Sequence, residues 1–320
     1  MHTRDKRRLA ILLAFIIVVP LGLYLVLGRQ ETDTGYRQET TTAKTVTWQG
    51  KEYVHRSNLS TILVMGVDRN SDAETTGYRS GGQADVLLLL VMDPEEKTVR
   101  QLQIDRDTMA DITVLSILGK EAGTRNTQIC LSHGFGHNEE ERCSYTVKAV
   151  EGLLQGEKPE LYLAFGLDSI SRINDSLGGV TVTIEDDMTA YDSTMTVGST
   201  LRLQGKQAEI FVRSRYNIAD GSNAARQSRQ RQFLSAASEL LRGFTRDEMG
   251  SLVDDLSDVL TTNMSRGRII NEFWKAKDYT VMPVEQLEGE YTIGSDGYVE
   301  FHADPDSLQE WVLSAFYKEK

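Results

Sequence analysis

The sequence has no excess of basic residues. Lysine and arginine together number 35, against 47 aspartates and glutamates, which gives a formal net charge of -12 at pH 7. A general nucleic-acid-binding protein would carry a basic surface excess instead. The composition therefore predicts that nucleic acid is not a partner. The excess of acidic residues favours solubility instead.

Cysteine is also scarce, because Cys130 and Cys143 are the only two in the chain. We predict a disulfide between them, which would contribute about 3 kcal/mol in the loop-entropy picture. Two free thiols are the alternative. A metal site is a further alternative, since His133, His137 and residues 139–141 lie between the cysteines, although this spacing fits no common zinc pattern.

One long apolar run stands near the N-terminus. Residues 9–28 carry no charge, and they supply the roughly 20 residues that a helix needs to cross a bilayer core. The run ends without a cleavage site of the Ala-x-Ala kind, which favours an uncleaved signal anchor. Basic residues crowd positions 4–8, so residues 1–8 are predicted to be a cytoplasmic tail and everything after the membrane helix to be extracytoplasmic.

The rest of the chain divides into a polar linker, residues 29–58, and one large domain, residues 59–320. Continuous apolar runs at 61–67 and 86–92 predict strands that are buried on both faces, and residues 99–104 are predicted as a third strand. Later patterns predict helices at 144–154, 169–177, 223–242, 246–262, 265–274 and 305–317, and strands at 161–165, 180–184, 279–282 and 298–302. The fold class is therefore α/β, with sheet and helices in layers.

Two aspartates flank neighbouring predicted strands. Asp68 follows the run 61–67 and Asp85 precedes the run 86–92, which would bring both carboxylates to one edge of the sheet. Magnesium prefers a few carboxylate oxygens together with water and substrate phosphate, so the pair suits a magnesium-phosphate site. The alternative is that both acids form turns, as acids beside strands most often do.

Arginines form a second group of candidates. Arg106 stands between Asp105 and Asp107 after the third predicted strand, and structural ion pairing is the alternative there. A later concentration comprises Arg213, Arg215, Arg226 and Arg229, with Gln230 beside them. Guanidinium groups bind phosphate oxygens bidentately and stay ionised, so this group favours a polyanion such as pyrophosphate. A solvated helix face is the alternative reading.

These motifs, taken in order, resemble the LytR-CpsA-Psr family of Gram-positive cell-envelope proteins over about residues 61–241. The resemblance is carried by residues 65–68 (MGVD), 84–85 (AD), 104–108 (IDRDT), 177–180 (LGGV), 203–208 (LQGKQA), 212–215 (VRSR), Asp220 and 226–230 (RQSRQ). Each motif is weak alone, but together and behind an anchor they are specific.

The resemblance implies an enzyme, a phosphotransferase that moves a glycopolymer of the teichoic acid or capsular polysaccharide type from a polyprenyl-pyrophosphate carrier to peptidoglycan. It implies a mixed central sheet between helices, with the lipid chain in a hydrophobic pocket. Asp68 and Asp85 would hold Mg²⁺, and Asp107 would orient the arginines or the metal. The pyrophosphate would be bound by Arg106, Arg213, Arg215, Arg226, Arg229 and Gln230.

The sequence departs from the family pattern at two positions. Gln83 stands where an arginine is common, with Arg79 nearby as a substitute, and Asp105 stands where a proline is usual. No histidine lies in the motifs, so Asp107 or Asp68 would have to serve as general base. Two alternative functions stay open: a polyprenyl-pyrophosphate phosphatase, with water as acceptor, and a non-catalytic protein that binds the lipid-linked polymer.

Overall fold

The computed structural model describes residues 44–68, 78–166, 169–214 and 243–320, together with 218, 229, 232–233, 236–237 and 240. The predicted membrane span, residues 9–28, and most of the predicted helix 223–242 lie outside this part of the chain. Within the described residues, no helix combines the length and apolar character needed to cross a membrane.

The strands in chain order are β1 (Thr45–Trp48), β2 (Lys51–His55), β3 (Ser60–Asp68), β4 (Gln83–Asp93), β5 (Thr98–Ile104), β6 (Met109–Leu115), β7 (Glu121–Gln128), β8 (Leu161–Gly166), β9 (Thr181–Thr183), β10 (Thr200–Arg202), β11 (Leu260–Thr262), β12 (Thr280–Gln286), β13 (Gly289–Ile293), β14 (Val299–Ala303) and β15 (Tyr317–Glu319). The α-helices are α1 (Glu139–Leu153), α2 (Ile170–Ser176), α3 (Lys206–Arg213), α4 (Arg246–Leu256), α5 (Arg266–Lys275) and α6 (Pro305–Phe316). Two 3-10 helices are η1 (Ile129–Gly134) and η2 (Ala276–Asp278).

A six-stranded sheet forms the centre, in the order β11-β8-β3-β4-β5-β12. β3 pairs with β4, and β4 with β5, in antiparallel fashion, whereas β3 pairs with β8 and β5 with β12 in parallel. The sheet is therefore mixed. Strands β3 and β4 coincide with the two apolar runs of the sequence, and β5 with the third predicted strand.

Both faces of this sheet are covered, which explains why those runs are continuously apolar. Ile62 and Val64 of β3 face a core that also contains buried residues of α2, α3, α4 and α5. Leu63 and Met65 face the opposite core, which contains residues of α1 and α6. The predicted sandwich of a mixed sheet between helices is confirmed.

Local signals in the sequence fix several helix boundaries. Asn138 caps α1 by accepting from the backbone of Glu141, and Thr245 forms a capping box with Glu248 at the start of α4. The predicted helix 246–262 was too long. It ends at Leu256 because residues 260–262 pair with β8 as strand β11.

A smaller sheet joins the two ends of the described chain. Strands β1 and β2, which lie in the stretch predicted as linker, pair with each other and with the C-terminal strand β15. Glu157 lies beneath this sheet and accepts hydrogen bonds from Lys44 at 2.5 Å and from the hydroxyl of Tyr317 at 2.7 Å; its other oxygen is 3.1 Å from the His55 ring. The folded part therefore includes residues 45–55.

Candidate active site

The ends of three adjacent strands bring the predicted carboxylates and Arg106 to one edge of the central sheet. β3 ends at Asp68, and its antiparallel partner β4 begins at Gln83, directly opposite. β5 runs antiparallel to β4 and ends at Ile104, opposite Leu87, so the loop that carries Arg106 leaves the sheet at the same edge. The predicted meeting of Asp68 and Asp85 follows from this register.

A bulge in β4 sets the position of Asp85. The pairing passes from Gly66 opposite Val86 to Val67 opposite Ala84, so Asp85 is the extra residue. Ala84 consequently packs into the same core as Val67. A β-bulge bends the strand and redirects a side chain at a sheet edge, and here it accounts for a half-buried carboxylate beside a strand of buried apolar residues.

Arg106 lies at the centre of the cluster. Its Nη1 donates to Asp85 Oδ1 at 2.5 Å and its Nη2 donates to Gln83 Oε1 at 2.5 Å. Nε lies 3.5 Å from Asp107 Oδ1, and Nη2 is also 3.6 Å from Cys130 Sγ. The side chain keeps 38% of its surface exposed, so the guanidinium is fixed by protein groups and still faces solvent.

Negative charge is concentrated around Asp85. Burial raises the pKa of Asp85; the positive charge of Arg106 opposes the rise, and repulsion from Asp68 and Asp107 adds to it. An arrangement that crowds carboxylates in this way favours a cation.

The loop before β4 lies tightly against η1. A Cβ on Gly82 would be 2.5 Å from the carbonyl oxygen of Asp68, and Gly82 has φ +81°, so glycine alone fits without strain. Gly81 donates to Gly134 O at 3.2 Å, and its own carbonyl lies 2.9 Å from His133 Nδ1. These contacts fix η1, and with it Cys130, beside Arg106.

The predicted disulfide is not present in this structure. Cys130 and Cys143 are both buried and are not joined to each other, and their side chains have different neighbours. Cys130 faces Arg106, whereas Cys143 lies 3.8 Å from His133 Nε2. Burial raises the pKa of Cys130 to about 11 even though Arg106 opposes the rise, so this thiol is protonated at neutral pH.

The cluster opens into a cavity of about 1420 Å³. We refer to the lining residues Asp68, Arg79, Gln83, Asp85, Arg106 and Asp107 as its polar end. Further polar residues line the cavity as well, namely Arg125, Thr127, Gln128 and Asp296. Apolar side chains that line it come from β6 and from η1 with the residue after it, namely Ile112, Val114, Leu115, Leu131 and Phe135. The hairpin of β6 and β7 that forms much of this wall was not predicted from the sequence. The cavity therefore offers both charged groups and apolar side chains to a ligand.

The two departures from the family pattern both make contacts here. Gln83 accepts from Arg106. Asp105 accepts from the backbone of Asp107 at 2.9 Å and from the hydroxyl of Tyr291 on β13 at 2.5 Å. Arg79 lines the cavity, and its guanidinium donates to Leu115 O at 2.5 Å.

The later arginines are placed elsewhere or lie outside the described chain. Arg213 is 44% exposed and pairs with Glu209 at 2.7 Å. Arg229 is buried and donates to Phe211 O at 3.0 Å, Ser214 O at 2.6 Å and Asp186 at 2.6 Å. Neither is among the described residues that line the cavity. Arg215, Arg226, Asp220 and Gln230 are outside the described residues.

Protein groups alone do not complete a metal site in the described chain. No group of three or more His, Cys, Asp or Glu side chains there could hold a metal ion, and this covers the alternative site considered between the cysteines. Asp68 and Asp85 together supply a pair of carboxylates at the polar end of the cavity.

Comparison with known proteins identifies the relatives of this chain. The model of the LytR_cpsA_psr family matches residues 24–313. Biofilm regulatory protein A of Streptococcus mutans is 26% identical over 204 residues, which are 59% of this chain and 46% of that protein, so the alignment spans about half of its length. The polyisoprenyl-teichoic acid–peptidoglycan teichoic acid transferase TagU of Halalkalibacterium halodurans is 24% identical over 71% of this chain and 68% of that protein.

The fold also matches a solved structure. The crystal structure of TagV from B. subtilis superposes with a TM-score of 0.57 at 21% identity, and the match covers 81% of this chain and 96% of that chain. At this level of identity the likeness concerns the fold, and it agrees with the mixed sheet between two layers of helices.

Proposed function

The chain belongs to the LytR-CpsA-Psr family, and from this membership and the geometry of the cavity we propose that it transfers a glycopolymer from a polyprenyl-pyrophosphate carrier to peptidoglycan. The reaction is a phosphotransfer assisted by Mg²⁺, and the polymer is of the teichoic acid or capsular polysaccharide type. Relatives named as teichoic acid transferases support the reaction class.

One observation carries the proposal: a guanidinium held among carboxylates lines a cavity whose wall also contains apolar side chains. Arg106 offers a fixed positive charge to a pyrophosphate. Val114, Leu131 and Phe135 are partly exposed and offer apolar surface to a polyprenyl chain. A soluble phosphorylated sugar would not need the apolar wall.

The donor set fits Mg²⁺. Asp68 and Asp85 supply hard oxygen ligands, and a cation would relieve the repulsion that contributes to the raised pKa of Asp85. Magnesium keeps several waters and takes its other ligands from substrate phosphates, so a pair of carboxylates is sufficient. When bound, the ion would neutralise charge on the pyrophosphate oxygens.

In the proposed reaction, a sugar hydroxyl of peptidoglycan attacks the phosphorus that is joined to the glycopolymer. A new P–O bond forms to the acceptor, the bond to the carrier breaks, and polyprenyl phosphate leaves with the electron pair. Arg106 stabilises negative charge on the phosphates. The hydroxyl proton passes to a carboxylate, for which Asp107 and Asp68 are the candidates at the polar end.

The location of this chemistry is part of the proposal. Residues 9–28 would span the cytoplasmic membrane of a Gram-positive cell, with the N-terminus inside, so that the catalytic domain works on the outer side. The uncharged run and the basic residues before it support this orientation.

The test is a transfer assay with the full chain, Mg²⁺, a synthetic polyprenyl-pyrophosphate glycan and peptidoglycan oligomers. Coupled glycan and released polyprenyl phosphate should appear in equal amounts. Asp68→Asn and Arg106→Ala should each lower both products about 10²–10³-fold. Arg172→Ala is the matched control, because Arg172 forms an exposed ion pair with Asp258 away from the cavity, and it should retain full activity.

A second candidate, non-catalytic binding of the lipid-linked polymer, is favoured by a specific observation. Of the described arginines predicted to contact pyrophosphate, Arg213 and Arg229 are engaged elsewhere and Arg106 alone lines the cavity. Tight binding of the lipid-linked glycan with no product would support this candidate. Release of free glycopolymer would instead identify a phosphatase.

A further inference from the structure

The tip of the β6–β7 hairpin presents two adjacent apolar side chains to solvent. Ile117 and Leu118 are each 78% exposed, more than any other large apolar side chain in the described part of the chain. Single exposed apolar residues are ordinary, but two neighbours at the end of a projecting hairpin form a surface that water solvates poorly. We refer to this pair as the apolar fingertip.

The turn that carries the apolar fingertip is fixed by hydrogen bonds. Ser116 donates its backbone N–H to Lys120 O at 2.8 Å, and Gly119 donates to Ser116 O at 3.1 Å. The hydroxyl oxygen of Ser116 accepts from the backbone of Leu118 and of Lys120, each at 3.3 Å. The two apolar side chains are therefore held outward by a defined turn.

His137, in the segment just before α1, contacts this turn. The ring of His137 donates to Gly119 O at 2.8 Å, and it contacts the ring of Tyr78 at 5.6 Å between centroids. Gly119 has φ +73°, and a Cβ there would be 2.6 Å from the His137 ring, so the approach requires glycine. The contact of His137 with Gly119 thus helps to fix the turn that exposes the two apolar side chains.

The apolar fingertip is continuous with the cavity. Leu115 and Ser116, the two residues directly before it, line the cavity. Arg79 holds Leu115 O at 2.5 Å and lines the cavity as well. An apolar chain that met the fingertip would thus pass along the hairpin to the same wall that leads to Asp85 and Arg106.

The surroundings of the apolar fingertip suit a lipid surface better than a second copy of the chain. Lys120 and Arg125 are exposed basic residues on this hairpin. Its acids have partners, since Glu121 lies 3.6 Å from Lys148 and Asp111 accepts from Asn126 at 3.0 Å. Basic groups around an apolar tip are typical of segments that enter an anionic interface. Two side chains expose far less than the roughly 1,200 Å² total that a stable protein interface buries.

We propose that the apolar fingertip inserts into the membrane surface beside the cavity and guides the lipid chain of the substrate from the bilayer into it. The substrate in this statement rests on the proposed function, but the insertion does not. Insertion can therefore be measured without any turnover.

Depth is measured by tryptophan quenching in the full chain, incorporated in phosphatidylglycerol vesicles with brominated acyl chains. Leu118→Trp should be quenched beyond the level of the parent chain, which contains three tryptophans. Val197→Trp is the matched control, since Val197 is 62% exposed in the loop before β10, and it should add no quenched component. Equal signals from Leu118→Trp and the control would overturn the proposal.

A second variant tests the guiding role. Ile117→Ser/Leu118→Ser removes apolar surface from exposed positions, so its melting temperature should match the parent. Transfer from vesicle-embedded carrier should fall about tenfold, whereas transfer from a short-chain soluble carrier should be unchanged. Equal loss with both carriers, or conversion of an oligomer to a monomer in sedimentation, would contradict a lipid-guiding tip. Quenching of the Leu118→Trp variant, with no transfer by the parent chain, would contradict the proposed function and leave the membrane insertion supported.

Discussion

Removal of Arg106 should separate the stability of the cluster from its activity. Arg106→Ala deletes hydrogen bonds to Asp85 and Gln83, both at 2.5 Å, and leaves Asp85 beside two other carboxylates. Hydrogen bonds to charged groups are worth about 1.5–3 kcal/mol. Because Arg106 is 38% exposed and Asp85 24% exposed, solvent screening reduces the expected loss of unfolding free energy to about 1–2 kcal/mol.

The pH dependence of this loss has a definite sign. The pKa of Asp85 is raised by burial above its ordinary value of 3.8, and Arg106 holds it down, so Arg106→Ala should raise it further. A raised carboxyl pKa destabilises the fold once the group is ionised. The loss should therefore be full at pH 7 and should shrink as the pH falls through the range just above 3.8.

A double-mutant cycle with Asp85→Asn completes the test. The asparagine keeps an acceptor but removes the charge, so Asp85→Asn/Arg106→Ala should regain most of the lost stability in urea denaturation at pH 7. Transfer should stay about 10²–10³-fold low in either arginine variant, since a fixed charge-stabilising donor is gone. A coupling energy below about 0.3 kcal/mol, or transfer within tenfold of the parent, would refute the reasoning.

Two further predictions concern residues outside the cluster. Glu157→Gln should lower the unfolding free energy at pH 7 by about 1–3 kcal/mol, whereas Glu319→Gln, in an exposed pair with Lys51, should cost under about 0.5 kcal/mol. Burial alone would raise the pKa of Glu157, but hydrogen bonds, led by the one from Lys44, lower it. The difference in stability between the two variants should therefore be present above pH 4.5, the ordinary pKa, and disappear as the pH falls through the lowered pKa. A difference that stays unchanged down to pH 3 would contradict the role given to the Glu157 carboxylate. Tyr291→Phe removes the hydroxyl that donates to Asp105. It should slow transfer about three- to tenfold, because the next residue, Arg106, is placed less firmly, and the melting temperature should be nearly unchanged. Parent-like kinetics would show that this contact does not position the loop.

The sequence predicted best where burial determined the pattern. β3 and β4 are buried on both faces, so their apolar runs stand out, and the acids at their ends marked the edge of the sheet. The bulge at Asp85 has no comparable signal, because it is visible only in the pairing of β4 with β3. The β6–β7 hairpin escaped prediction because β7 is polar and exposed along most of its length.

The arginine motifs of the sequence predicted positions at the site less well than the apolar patterns predicted strands. Arg229 lies in a motif that predicts phosphate binding, yet its guanidinium is buried against two backbone carbonyls and Asp186. A short motif records which charges are present and leaves open whether they face a ligand or satisfy the protein's own acceptors. Cys130 is the opposite case, because it lies outside the predicted phosphate-binding motifs and yet contacts Arg106. Its position there depends on the contact of η1 with the loop before β4.

The side chains at the two departures from the family pattern, Gln83 and Asp105, both make hydrogen bonds in this chain. Gln83 cannot supply a positive charge, but its amide oxygen accepts from Arg106 and so helps to fix the charge that remains. Asp105 adds a negative charge, yet its two oxygens accept from the backbone of Asp107 and from Tyr291. A carboxylate that is bonded on both oxygens is fixed in place and directed toward β13. Each substitution thus replaces a lost feature of the pattern with a hydrogen bond that holds Arg106 or its neighbour in position.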